Sequence, residues 1–142
     1  MAGVNSTPVF DRDGQYMSFI AGEAITIGQV VRLSAANTVS VGTDNTANIG
    51  VAVGGDRFSR TQTDGEIAAG SKVTVCTRGV VRVLTGTSNI AVGSYVEGAA
   101  AGVVQLAGTG AGTGNQFDRV VGMALEANGS AAATIRVALM RF

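Results

Sequence analysis

The sequence contains one pattern of residues twice, and its two copies begin 65 positions apart, at Ile25 and at Ile90. Each copy later reaches a segment in which glycine and alanine alternate with larger apolar residues, first at 50–53 and again at 122–125. A repeat of this kind indicates a small structural unit that occurs twice and buries an apolar face against its partner. The matched positions are Ile25 and Ile90, Gly28 and Gly93, Ala35 and Ala100, and Val39 and Val104.

Local patterns within each copy predict β-strands. Short runs rich in β-branched residues are bounded by Gly, Asn, Asp, Ser and Thr, and several alternate between two faces with a period of two. An apolar period of 3.6 residues is not sustained anywhere, so helix is minor at most. We therefore predict an all-β fold, a compact β-sandwich or partly closed, β-tulip-like barrel of about eight to ten short strands. The runs are 29–33, 38–41, 49–53, 72–77, 79–84, 94–97, 103–106, 119–125 and 133–140.

The same pattern divides the chain. Residues 1–22 precede any clear strand pattern, and we predict that they form an extended N-terminal arm. The alternative for this segment is a frayed terminus with one docked strand. Residues 23–142 are predicted to form a single β-domain built from two related half-units, at about 25–77 and 90–140.

Composition excludes most catalytic chemistry. The sequence contains no histidine and a single cysteine, Cys76. It therefore has no histidine general base, no Ser-His or Cys-His pair, no histidine metal ligand and no cysteine-cluster zinc site. A hydrolase that uses carboxylates is the alternative, with Asp64 and Glu66 or Asp11 and Asp13 as its acidic pair. We expect no catalytic residues, no metal, no cofactor and no enzymatic activity.

Charge narrows the choice of partners. Charged residues make up only 14% of the chain and their net charge is zero, whereas an average globular domain is about 25% charged. A neutral chain is not attracted to nucleic acid or to an anionic membrane by bulk charge, and we expect neither partner. A surface with few charges favours burial of part of it against other copies or another protein, although a neutral polar coat is the simpler alternative.

Aromatic residues are concentrated near the start of the chain, where Phe10, Tyr16 and Phe19 lie within the first 22 residues. Aromatic side chains give a large buried area for few rotatable bonds, which favours a role in binding a partner. The predicted contact residues of the arm are Val4, Pro8, Val9, Phe10, Tyr16 and Phe19.

A second candidate interface is the loop at 54–65, where Phe58 lies between Arg57 and Arg60. Arginine makes bidentate contacts with carboxylates and is favoured over lysine at protein interfaces. We predict that these three residues contact either another copy or a different protein. Ordinary surface charge is the alternative.

Four segments carry a recognisable pattern. Residues 67–80 contain A-A-G-x-x-V-x-V-x-x-x-G-V, and residues 90–104 fit I-x-x-G-x-x-V-x-x-x-A-A-G-x-V. Residues 122–127 and 133–137 fit G-x-A-L-E-A and A-x-x-R-V. Together these segments resemble a family of small head proteins of tailed bacteriophages, the capsid decoration or cement proteins. The resemblance covers about residues 23–142.

The resemblance implies a non-enzymatic structural protein of the virion, made in the host cytoplasm, that binds the outer surface of the capsid. Its implied partners are the major capsid protein and two further copies of itself in a trimer, and its implied role is to stabilise the head. Arms at the N-terminus commonly reach the capsid in related proteins, so residues 4–10 become the predicted capsid-facing segment, with Phe10 as the anchor. The alternative is a β-domain of a phage tail tube, baseplate or fibre, which would form rings of six or long polymers.

Overall fold

The computed structural model describes residues 14–43, 47–55, 65–108 and 119–140, and the structural statements that follow concern these residues. Their regular structure is β-strand apart from one short 3₁₀ turn at Ala100–Gly102, which confirms the predicted all-β fold. The strands are β1 (Gln15–Ala21), β2 (Ile25–Thr26), β3 (Val30–Ala35), β4 (Thr38–Val41), β5 (Gly50–Gly55), β6 (Glu66–Ile67), β7 (Lys72–Leu84), β8 (Tyr95–Gly98), β9 (Val104–Leu106), β10 (Val120–Ala124) and β11 (Thr134–Leu139).

Five strands close into a first ring, which we call barrel one. Its order is β1-β4-β3-β5-β7, and residues 72–78 of β7 pair back with β1. The β1–β4 contact is parallel and the others are antiparallel. The short strands β2 and β6 pair with each other in a separate two-stranded sheet. Barrel one has its own buried cluster, formed by Phe19, Ala21, Ile25, Val31, Val39, Ala52, Ile67, Val73 and Val75.

The second half of β7 starts another ring, which we call barrel two. Residues 79–84 of β7 pair with β11, and β10, β8 and β9 follow in order. A single parallel bridge between Thr85 and Val104 leads from β9 back to the end of β7, so this ring is nearly closed. Gly79, with φ +118°, marks the point where β7 leaves one barrel and enters the other.

The two barrels share their strand register. In barrel one, Val31 of β3 lies opposite Gly50 of β5. In barrel two, Val96 of β8 lies opposite Gly122 of β10. The repeat matches Val31 with Val96 and Gly50 with Gly122. The repeated residues therefore occupy the same places in two similar rings.

The turn that precedes the central hairpin of each barrel is also repeated. The backbone N–H of Gly28 donates to the Ala52 carbonyl at 2.8 Å, and that of Gly93 donates to the Ala124 carbonyl at 2.8 Å. Both glycines have positive φ, +100° and +85°. Glycine adopts this backbone conformation without steric cost, which explains why it recurs at both positions.

Strand β1 is the counterpart of the second half of β7. Tyr16 pairs with Cys76 in barrel one as Val80 pairs with Ala138 in barrel two. The sequence prediction assigned these residues to an arm that ends at residue 22. The structure instead places Gln15–Ala21 in the sheet, because Phe19 and Ala21 help to fill barrel one, as in the docked-strand alternative.

Two strands of barrel one bury both of their faces. Val30 and Val31 are adjacent in β3 and both have no exposed surface, and the same is true of Val51 and Ala52 in β5. One member of each pair faces the interior of barrel one, whereas Val30 and Val51 join Cys76 in the cluster of barrel two. A strand that is covered on both faces carries apolar residues at successive positions, which accounts for the adjacent apolar residues in β3 and β5.

Candidate interaction surface

The two barrels meet in a joint where the outer wall of barrel one contacts one end of barrel two. The Gln29 side-chain amide donates to the Ala101 carbonyl at 2.9 Å. The Asn48 side-chain amide donates to the Arg119 carbonyl at 3.0 Å, and both of these residues are buried. Buried polar groups are tolerated because they are hydrogen-bonded, so this joint is a built contact within the chain.

A buried carboxylate organises barrel two. Glu97 has no exposed surface. Its Oε2 accepts a hydrogen bond from the Gln105 side-chain amide at 2.9 Å, and its Oε1 accepts one from the Gly108 backbone N–H at 3.0 Å. These bonds tie β8 to β9 and to the chain that follows, which makes Glu97 a structural residue.

The structure describes only one of the four acidic residues predicted for a hydrolase. Asp11, Asp13 and Asp64 lie outside the described residues, and Glu66 is half-buried in β6. Within the described ranges, no group of three or more His, Cys, Asp or Glu is placed to hold a metal ion. No helix in the described parts of the chain has the length and apolarity needed to cross a membrane.

The two predicted arm contacts that the structure describes have different surroundings. Phe19 is only 8% exposed and packs in the cluster of barrel one, so its ring supports the core and is not presented to a partner. Tyr16 is 40% exposed and lies on the outer side of the same strand. The other predicted contacts lie outside the described residues: Val4, Pro8, Val9, Phe10, Arg57, Phe58 and Arg60.

Cys76 lies behind Tyr16 and has no exposed surface. Burial raises the pKa of its thiol, because the charged thiolate would lose its solvation in the interior. The thiol donates to the Arg78 carbonyl at 3.0 Å. At neutral pH the side chain is therefore a covered, protonated thiol rather than a nucleophile.

A large apolar side chain is exposed on the outer wall of barrel two. Tyr95 is 49% exposed there, whereas Leu106 lies opposite Val96 and therefore on the other face of the sheet. Met123 lies opposite Tyr95 on one side and opposite Ala138 on the other. Met123 and Ala138 are half-buried. The three residues form an apolar row across three strands, with Tyr95 as its exposed member, and an apolar surface patch is typical of a protein-binding site. Sequence reasoning did not single out these residues, although comparison of the two repeats finds Tyr95 at the place of the buried Val30.

A second apolar surface lies on barrel one. Leu33, near the end of β3, is 53% exposed and Ile20 on β1 is 40% exposed. The turn at 35–37 between β3 and β4 is exposed beside them. The described part of the molecule therefore presents apolar side chains on both barrels, at two different places in the repeated unit.

Comparison with known proteins places this architecture. No protein-family model matches the chain, and no curated protein matches it at a significant level. The structure is similar to the crystal structure of the head fiber gp8.5 N base of bacteriophage phi29, with a TM-score of 0.59 and 15% sequence identity. The match covers 89% of this chain and 94% of that chain. The two chains share a fold.

Proposed function

We propose that the protein is a non-enzymatic structural component of a tailed-phage head, which binds the outer surface of the capsid as a trimer and stabilises it. The observation that carries this proposal is the fold shared, over 89% of the chain, with a protein of a phage head fibre. The resemblance of residues 67–80, 90–104, 122–127 and 133–137 to capsid decoration proteins points to the same class.

The surface of the molecule supports a role in assembly. Leu33 and Tyr95 are about half exposed, at 53% and 49%, on a chain of which only 14% is charged. Such side chains gain free energy when a partner covers them, at about 25 cal/mol per Å² of apolar surface. Low net charge also limits repulsion between many copies crowded on one shell.

Residues 4–10 are the proposed capsid contact, with Phe10 as the anchor. Strand β1 begins at Gln15, five residues after Phe10, and its first four residues are exposed. An extended segment can add a strand to an exposed sheet edge of a shell protein. Three arms on one trimer would act together, because each bound arm raises the effective concentration of the others. Arg57, Phe58 and Arg60 are proposed as a second contact.

Deletion of residues 1–10 is expected to leave a folded oligomer that no longer co-sediments with undecorated shells. The fold should survive because the deletion ends before β1, which starts at Gln15. In the full chain, Phe10→Ala should weaken shell binding about tenfold or more, as expected for a buried aromatic anchor. Thr7→Ala is the matched control within the arm. Equal shell binding by the truncated and full chains would refute the role of the arm.

A component of a phage fibre is the alternative that the structural neighbour favours, since that neighbour is described as the base of a head fiber. Such a component would carry or extend a fibre rather than cap the shell surface. Light scattering after gel filtration separates the two: a decoration protein should elute as a trimer, whereas a fibre or tube component should form hexameric rings or longer polymers.

A further inference from the structure

We infer that barrel two of one copy binds barrel one of the next copy through the same kind of joint that holds the two barrels together within the chain. This inference names the surfaces of the self-association proposed above and rests on that part of the proposed function. It does not depend on binding to a capsid.

In the part of the chain that the structure describes, the outer wall that enters the joint is present twice but covered only once. In barrel one, Val30, Val51 and Cys76 lie side by side across three strands and have no exposed surface. They belong to the buried cluster of barrel two, because barrel two covers this wall.

The same register in barrel two is open. Tyr95, Met123 and Ala138 lie side by side across β8, β10 and β11, at the places of Val30, Val51 and Cys76. Tyr95 is 49% exposed and the other two are half-buried. Barrel two therefore carries the wall that barrel one uses in the joint, and within the described residues no other strand or turn covers it.

Among the described residues, the end of the barrel that contacts this wall (the receiving end) is also present twice and covered once. In barrel two, Leu84 donates its backbone N–H to the Gly28 carbonyl of barrel one at 3.0 Å. Gly98 lies against the wall as well, since a Cβ added there would be 3.6 Å from Cγ1 of Val30. Buried Arg119 completes this end through its carbonyl.

The corresponding end of barrel one is exposed. Leu33 takes the place of Gly98, because Leu33 pairs with Val39 as Gly98 pairs with Val104. Ile20 takes the place of Leu84 at the end of the first strand of its barrel. Leu33 is 53% exposed and Ile20 is 40% exposed. The described ranges of each copy thus contain one open wall and one open receiving end.

Two residues at the open surfaces are clearly larger than their counterparts within the chain. Tyr95 stands where the internal joint has Val30, and Leu33 stands where it has Gly98. The internal joint is supported by a continuous strand, β7, whereas a joint between copies must be stable without a covalent link. Larger apolar side chains supply the extra buried area that such a contact needs.

The two open surfaces differ, so the contact is head-to-tail. A contact of this kind repeats from copy to copy, and it either closes into a ring or extends as a filament. In the trimer proposed above, three copies would form a closed ring of six barrels. An isologous dimer, in which the same surface meets itself, is not what this geometry favours.

A disulfide test follows from the contact between Gly98 and Val30. The double variant Leu33→Cys/Tyr95→Cys should form a disulfide ladder between copies under mild oxidation, because position 33 of one copy lies against position 95 of the next. Each single variant should give no cross-linked dimer. Buried Cys76 is present in every variant, so the single variants also control for it. No cross-link in the double variant, or equal cross-linking in a single variant, would overturn the head-to-tail joint.

Mixing experiments provide an independent readout. Tyr95→Glu damages the wall and Leu33→Glu damages the receiving end, so each variant alone should be a monomer with self-association weakened about tenfold or more. A 1:1 mixture should form a dimer, because it contains one intact wall and one intact end that match. Ala132→Glu, which adds the same charge to an exposed loop, should assemble like the unmodified protein.

The outcomes separate this inference from the proposed function. If the unmodified protein is a trimer and both glutamate variants stay trimeric, the joint is wrong and the trimer stands. A disulfide ladder that continues beyond three chains supports the joint but contradicts the trimer. A protein that is monomeric at all concentrations overturns self-association and the joint, and leaves capsid binding to be judged by co-sedimentation.

Discussion

Gly122→Ala is expected to lower the free energy of unfolding by about 3 kcal/mol or more, at the upper end of what overpacking usually costs. Gly122 lies in β10 between β8 and β11, and a Cβ there would collide with the carbonyl of Ala138 on the neighbouring strand. The colliding group is backbone, so relief would require the β10–β11 ladder to shift. Urea denaturation measures the loss.

The repeat predicts a second substitution of the same kind. Gly50 occupies the place of Gly122 in barrel one, and a Cβ there would collide with the carbonyl of Cys76. Gly50→Ala should therefore be destabilising to a similar degree. The matched control is Gly54→Ala, four residues along the same strand, because a Cβ at Gly54 has no atom within 4 Å. This control should change stability by less than about 0.5 kcal/mol. A Gly122→Ala protein that unfolds at the urea midpoint of the control would contradict the described register.

Asn128→Ala is expected to lower the free energy of unfolding by about 3 kcal/mol, because it leaves one buried and two part-buried backbone groups without this partner. Asn128 is 7% exposed. Its Oδ1 accepts from the Ile90 N–H at 3.0 Å and from the Ser130 N–H at 3.1 Å, and its Nδ2 donates to the Ser88 carbonyl at 2.7 Å. The side chain thus holds the loop before β8 against the loop before β11.

Asn89→Ala is the control for that prediction. Asn89 is a neighbouring asparagine whose Oδ1 accepts one exposed hydrogen bond from the Ser130 hydroxyl at 3.2 Å. Loss of an exposed bond should change stability by less than about 0.5 kcal/mol. Similar unfolding midpoints for Asn89→Ala and Asn128→Ala would show that the buried bonds contribute little.

The repeat could be recognised in the sequence because particular glycines have the same physical task in both copies. Gly28 and Gly93 have positive φ in equivalent turns. Gly50 and Gly122 pass so close to a neighbouring strand that no side chain fits. Such positions admit few other residues, so they stand out in the sequence even where the strands around them differ.

Strand β1 is predicted only as the docked-strand alternative for residues 1–22, for the opposite reason. Its first four residues are exposed and show no alternation, and only Phe19 and Ala21 face the core. Its counterpart in the repeat is the second half of β7, yet the two segments share no distinctive glycine. Pairing between β1 and β7 joins residues far apart in the chain, and local patterns do not report such contacts.

The candidate interaction surface could be predicted only in part. Low charge and the exclusion of catalytic residues indicated a binding protein, but the sequence drew attention to Phe19, which the fold buries. Tyr95 and Leu33 became visible only when their environments were compared with those of Val30 and Gly98. A repeat shows which residues are equivalent, whereas the structure shows which equivalent residues lack a covering partner.

Electron microscopy of undecorated shells mixed with this protein tests the proposed function most directly. We expect additional threefold-symmetric density on the outside of the capsid at local threefold positions, with thin connections to the shell from the N-terminal segments. Density confined to the tail or to a single vertex, or shells identical with and without the protein, would contradict a role in decorating the capsid.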